Sequence, residues 1–67
     1  MKNDRDIPTV WELYVGKNYV GEAHSGVQAQ TEAQDASRAN PATPVTVWID
    51  RQGKRSKVGV WLNGVRQ

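Results

Sequence analysis

The chain has 67 residues with no cysteine, one histidine and a formal net charge of +2, so we expect one small domain with a thin stability margin. The lack of cysteine excludes disulfides, thiolate metal ligands and cysteine nucleophiles, and no apolar run approaches the ~20 residues that span a bilayer. Residues 1–50 are net −3, with four cations and seven anions, whereas residues 51–67 are net +5, with five cations and no anion.

Residues 1–8 are predicted to form a flexible polar tail that ends at Pro8. This segment mixes both charge signs and lacks the apolar stretch of a secretory signal, so we expect a cytoplasmic protein. Residues 9–67 are expected to form the single domain.

The next segment, TVWELYV-GKN-YVGEA, predicts a β-hairpin, because aromatic and β-branched residues flank a turn signal. A three-residue loop over 16–18 would pair Val15 with Tyr19 and Trp11 with Ala23. One face of the hairpin would then carry Trp11, Leu13, Val15, Tyr19 and Ala23. The other face would carry Val10, Glu12, Tyr14, Val20 and Glu22. A change of one residue in loop length would move part of each set to the opposite face.

One helix is predicted over residues 26–39. Ser25 and Gln28 have the spacing of a capping box, and Pro41 ends the helix because the residue before a proline avoids the helical conformation. Small residues repeat at helical spacing along one side: Ala29, Ala33, Ala36 and Asn40, with Ala39 beside them. This narrow stripe lets the helix lie close to a sheet whose side chains are large.

A second hairpin is predicted for VTVWIDRQGKRSKVGVWL, with its turn centred between Gln52 and Gly53. The strands alternate, so one face is aliphatic and seats the helix: Val45, Val47, Ile49, Val58, Val60 and Leu62. The opposite face is aromatic and basic: Thr46, Trp48, Asp50, Arg55, Lys57, Gly59 and Trp61. Asn63-Gly64 is a strong turn pair, but only three residues follow it, so any returning strand must be very short.

These elements predict a two-layer α+β domain with a four-stranded antiparallel sheet in the order β-β-α-β-β and one helix on one face. The other face of the sheet, with Trp48, Trp61 and Tyr14, has no assigned cover. Three interpretations of it stay open: a protein contact, single-stranded nucleic-acid binding through stacking and phosphate contacts, or a structural role in which the rings only stiffen the sheet.

We favour protein contact, either with a partner protein or as a homodimer, because Glu12 and Glu22 share this face and would repel phosphates. The predicted contact residues are Trp48, Trp61, Lys57, Arg55 and Tyr14, with the tryptophans as anchors and the cations at the rim. The alternative is single-stranded nucleic acid bound by the same face together with Arg51 and Lys54. The basic end of the chain also fits the simpler interpretation that turns and edge strands carry cations for solubility and to prevent edge pairing.

We do not expect an enzyme. His24 is the one histidine and lies next to the predicted helix start, where a loop or capping role is usual, and a catalytic base needs a positioned partner. Glu12 and Glu22 would lie opposite each other, where carboxylates usually pair with cations, here Lys57 or Arg55. No metal-ligand spacing or phosphate-binding glycine pattern is present. We therefore expect no cofactor, no metal, no small-molecule substrate and no membrane partner.

WELYVGKNYVGEA, TEAQDASRA and VTVWIDRQGKRSKVG together resemble small bacterial and phage-borne families of unknown function. Those families have a hairpin, an alanine-rich helix and a strand-turn-strand ending. The resemblance implies the same β-β-α-β-β fold and a noncatalytic accessory role. It supplies no active residues that can be transferred to this chain.

Overall fold

The computed structural model describes residues 9–67; the predicted tail, residues 1–8, lies outside the described residues. One helix packs on one face of a five-stranded antiparallel sheet whose strand order is β2-β1-β3-β4-β5. The elements are β1 Thr9–Val15, β2 Asn18–Ala23, α1 Gly26–Ala39, β3 Val45–Arg51, β4 Lys54–Leu62 and β5 Val65–Arg66. The α+β class with one helix is confirmed. The prediction of four strands is wrong, because the chain returns after Asn63-Gly64 to form β5.

The first hairpin turns more tightly than predicted. Val15 pairs with Asn18 across a two-residue turn, which Gly16 permits by adopting a φ of 61°. Tyr14 therefore pairs with Tyr19, and the predicted pairing of Val15 with Tyr19 is wrong. Val20 is then the extra residue of a β-bulge, beyond which Trp11 pairs with Ala23 as predicted. Because of the tight turn and the bulge, Tyr19 and Val20 depart from the predicted register, whereas Gly21 and Ala23 keep it.

The helix has the predicted bounds. The Ser25 hydroxyl accepts a hydrogen bond from the Gln28 backbone N–H at 3.1 Å, and this satisfies one of the free donors of the first turn. Ala29 and Ala33 are fully buried against the sheet, so the small-residue stripe seats the helix as predicted. The stripe ends at the buried Ser37 rather than at Asn40, which is exposed.

The second hairpin follows its predicted register only as far as Trp48. Gln52 and Gly53 form the turn with φ values of 56° and 85°, the conformation of a tight two-residue hairpin turn, and Trp48 pairs with Lys57. Val58 is then the extra residue of a second bulge. Beyond it Val47 pairs with Gly59 and Val45 pairs with Trp61.

This second bulge reverses the face of the last residues of β4. Trp61 shares the side of the buried Val45 and is itself only 4% exposed, so its predicted place on the uncovered face is wrong. Val60 and Leu62, predicted beneath the helix, take the uncovered face instead, while Gly59 turns toward the helix. One inserted residue causes all of these changes, because side chains alternate along a strand.

Strand β5 is held by the helix as well as by β4. Asn63 and Gly64 form its turn with φ values of 51° and 83°. The Gly64 N–H donates to the Ser37 hydroxyl at 2.7 Å, and the Gln34 side-chain amide donates to the Gly64 carbonyl at 3.1 Å. A two-residue strand therefore persists because both backbone groups of Gly64 are bound by helix side chains.

The core lies between the helix and the face of the sheet on which the helix packs. Its buried hydrophobic residues are Leu13, Ala23, Ala29, Ala33, Val45, Val47 and Trp61, and Trp11, Val15, Ala36 and Val58 pack against them. The largest side chains come from the sheet and the smallest from the helix, as close layer packing requires. Over residues 9–67 no helix has the length and apolar character needed to cross a bilayer.

Candidate functional site

The sheet surface opposite the helix, called the outer face below, is arranged in rows that cross the strands. One row carries charge and an indole and runs β2 to β4 through Glu22, Glu12, Trp48 and Lys57. The next row is aromatic and apolar and runs through Tyr19, Tyr14, Thr46 and Val60. Leu62 and Val65, which are 38% and 62% exposed, extend this face at the β5 end. No element within residues 9–67 covers it.

Arg55 organises the centre of the outer face. Its guanidinium donates to the Glu12 carboxylate, with Nε and Nη2 both 2.9 Å from Oε1, and to the Tyr14 hydroxyl at 3.3 Å. It also lies 4.9 Å from the centre of the Trp48 ring, within cation–π range. Glu12 is only 20% exposed at its side chain. Arg55 therefore neutralises a carboxylate that would otherwise be half-buried and unpaired.

Asp50 lies on the same face, opposite Arg55, and its carboxylate accepts the Gly53 N–H at 3.0 Å; the other charges lie at opposite margins of the face. Lys57 packs its ammonium 5.6 Å from the Trp48 ring on the β4 side. Glu22 lies on the β2 side, 4.0 Å from the exposed His24 ring. Partial desolvation, and then the negative charges of Glu22 and Glu12, raise the pKa of the Tyr19 phenol above its ordinary value. The outer face is thus positive at one margin and negative at the other.

Four of the five predicted contact residues come together. Tyr14, Trp48, Arg55 and Lys57 form one connected cluster through the contacts above. Trp61 is absent from it, because it lies beneath the helix. Its ring rests where Gly59 has no side chain, since a Cβ there would lie 3.2 Å from the indole, and the Arg66 guanidinium covers it at 5.3 Å. Trp61 is a core residue.

Arg51 and Lys54, predicted as additional nucleic-acid contacts, lie on the helix side of the hairpin. They pair with each other across the β3–β4 turn. Together with Ile49, Gln52 and Ser56 they line a shallow concavity of about 520 Å³. A single-stranded nucleic acid on the outer face would have to bend around the hairpin end to reach them.

Several residues of the outer face were not predicted from the sequence to lie there. Tyr19, which is 53% exposed, packs edge-on against Tyr14 with ring centres 5.5 Å apart, and Val60, Leu62 and Val65 were also assigned elsewhere or not at all. The signal was present, because Val20 and Val58 each precede a glycine within a strand, and an isolated strand glycine often marks a bulge. The two glycines, Gly21 and Gly59, even lie in the same row of the sheet.

The groups considered above for catalysis are His24, Glu12 and Glu22. Glu12 and Glu22 lie opposite each other as predicted. Glu12, however, forms an ion pair with Arg55, and His24 is exposed. The concavity at the hairpin end contains none of these three residues. Among residues 9–67 no group of three or more His, Asp or Glu side chains is placed to hold a metal ion.

No family model matches this chain, and no curated protein or solved structure matches it either. The resemblance to small bacterial and phage-borne families therefore stays a prediction. The function has to be argued from the geometry of the outer face alone.

Proposed function

We propose that this domain is a noncatalytic module that acts through protein contact, and that its outer face binds a second copy of the chain. The observation that carries the proposal is the uncovered sheet face with Tyr14, Tyr19 and Trp48 at its centre and aliphatic residues at the β4–β5 end. Aromatic residues and arginine are the side chains that contribute most to protein interfaces. A face of this kind gains free energy when a partner removes it from water.

The charged row makes the outer face complementary to itself. Glu22, Glu12, Trp48 and Lys57 lie side by side across four strands. A two-fold axis that runs parallel to the strands and passes between β1 and β3 reverses this row. It places Glu22 over Lys57 of the second copy and Glu12 over Trp48 of the second copy. Because such an interface is isologous, the Glu22–Lys57 pair forms twice.

Arg55 supports this arrangement without forming an ion pair with the second copy. It is already held by Glu12 and Tyr14 and lies 4.9 Å from the centre of the Trp48 ring, so little side-chain freedom is lost when it is covered. Packing of two sheets face to face with nearly aligned strands would bury the aromatic row of each copy against the other. The expected dimer is isologous and closed, with one interface per pair.

Sedimentation velocity over a range of protein concentrations tests the proposal. Lys57→Glu and Glu22→Lys should each weaken the dimer about tenfold, from two exposed ion pairs of about 0.7 kcal/mol each, and the double charge swap should restore it. Lys17→Glu, which makes the same charge change in the exposed β1–β2 turn, is the matched control. A monomer at every concentration, or a dimer indifferent to Lys57→Glu and to Trp48→Ala, overturns the proposal.

Single-stranded nucleic acid is the second candidate for the same face. The exposed Tyr19 ring and the half-buried Trp48 ring next to Lys57 have the chemistry of a base-stacking surface. The candidate ranks second because Glu12 already engages Arg55 and because Glu22 adds a negative charge in the same row. Titration with labelled single strands at two salt concentrations decides it, since binding through phosphates must weaken as salt rises.

A further inference from the structure

Half of strand β4 has an open edge. Strand β5 pairs only with Trp61 and Leu62, and the carbonyls of Val58 and Val60 accept hydrogen bonds from the Arg66 side chain and the Gln67 N–H, respectively. From Lys54 to Lys57 no strand of residues 9–67 pairs with the edge of β4 that points away from β3. Because backbone groups alternate in direction along an antiparallel ladder that begins at the Arg51–Lys54 turn, the N–H and C=O of Arg55 and Lys57 point away from β3.

Positive charge surrounds this edge on both faces of the hairpin. Arg51 and Lys54 lie on the helix side, and Arg55 and Lys57 lie on the outer face. Within residues 9–67 only Arg55 of these four forms an ion pair. The Asp50 carboxylate accepts the Gly53 N–H at 3.0 Å and so stabilises the turn. An anionic strand at this edge would meet uncompensated cations.

The concavity at the hairpin end adds an apolar contact beside the edge. The helix begins at Gly26, next to the Trp11 ring, and Trp11 pairs with Ile49. The helix therefore does not extend over the rest of the hairpin, and Ile49 stays half-buried at the floor of the concavity. Ser56 is the only side chain of β4 between Ile49 and the open edge, and it is small enough for a side chain to reach across.

We propose that the open edge of β4 binds an extended acidic peptide segment of another protein as an added β-strand. The peptide backbone would hydrogen-bond to Arg55 and Lys57, its carboxylates would lie against Lys54, Arg55 and Lys57, and an apolar side chain would cross Ser56 onto Ile49. Main-chain pairing supplies affinity and alternate side chains supply specificity in this mode of recognition. The site shares the side chains of Arg55 and Lys57 with the outer face, but its backbone edge and Ile49 lie outside that face, so peptide binding does not require the proposed dimer.

Fluorescence anisotropy with a labelled eight-residue peptide of seven glutamates and one central valine tests the proposal on the full chain, because its glutamates lie on both faces of the added strand. We expect saturable binding that weakens with salt and that falls roughly five- to tenfold in the Arg51→Gln, Lys54→Gln double variant. Lys17→Gln, which removes one charge at the other hairpin, should leave binding unchanged. The same peptide N-methylated at alternate residues keeps every charge and loses half of its backbone donors, so it should not bind.

Three results overturn the proposal. Equal binding of the N-methylated peptide would show attraction of charge without strand pairing. Tighter binding of a ten-residue oligothymidylate than of the peptide would assign these cations to nucleic acid. If neither ligand binds, the only role left for the cations around this edge is to keep it from pairing with other strands. Measuring the peptide also on Trp48→Ala separates this site from the dimer, because Trp48→Ala should change self-association and leave peptide binding intact.

Discussion

Substitution of Ser37 by alanine should loosen the C-terminal turn from the helix. The Ser37 side chain is fully buried, accepts the Gly64 N–H at 2.7 Å and donates to the Gln34 carbonyl at 2.9 Å. Alanine leaves the Gly64 donor without its partner, which costs about 1–3 kcal/mol for a buried group. A chain of this size has a total stability of roughly 3–10 kcal/mol, so the loss is a large fraction of it.

Urea unfolding of Ser37→Ala beside the parent chain measures this cost, and hydrogen exchange locates it. We expect the Gly64 amide to exchange much faster in the variant, while amides of β3 keep their order of protection. Ser56→Ala is the matched control, because Ser56 is exposed on β4, and its effect should stay within about 0.5 kcal/mol. A Ser37→Ala loss no larger than that of the control, with Gly64 equally protected, would refute the claim that the helix holds β5.

Three further outcomes follow from the two faces of the sheet. Trp61→Ala should lose about 3–5 kcal/mol in chemical denaturation, as a buried aromatic does, whereas Trp48→Ala should lose only about 1 kcal/mol; equal losses would contradict the opposite placement of the two rings. Arg55→Gln should cost about 1 kcal/mol, from an exposed ion pair and its stacking contacts, measured in the same way, and no change would deny Arg55 its organising role. The raised pKa of Tyr19 means that stability is complete below the ordinary tyrosine pKa and declines as pH rises through the folded-state value. Glu22→Gln should move the Tyr19 titration, followed by NMR, to lower pH; an unmoved titration would exclude the carboxylate as a cause.

The elements of the fold were predictable because local signals agreed with one another. Ser25, Gln28 and Pro41 bracket the helix, and the alanines between them define the face that packs on the sheet. In the second hairpin, alternating residues and the Gln52–Gly53 turn gave the correct pairing of Trp48 with Lys57. Each of these features depends on residues close together in the chain, where propensity and periodicity are informative.

The features that were predicted incorrectly depend on single-residue insertions or on contacts far apart in the chain. A bulge at Val20 or Val58 leaves the composition of its strand unchanged but moves Tyr19 to one face or Trp61 to the other. Strand β5 is too short to be recognised by pattern, and its stability comes from Ser37 and Gln34, which lie about thirty residues earlier. Of the candidate site, the Tyr14, Trp48, Arg55 and Lys57 cluster was predictable, and its aliphatic extension was not.

The bulge at Val58 has a consequence for how a gene encoding this chain can vary. An in-frame loss of that one codon would give an unbroken ladder after Lys57 and would leave Gly59 opposite Val47 and Trp61 opposite Val45, as they are now. The indole of Trp61 would stay beneath the alanines, and the chain would lose only the contact that Val58 makes with the core. Drift at this position should therefore tolerate loss of the valine as well as its replacement, because neither changes the face on which a later side chain of the strand lies.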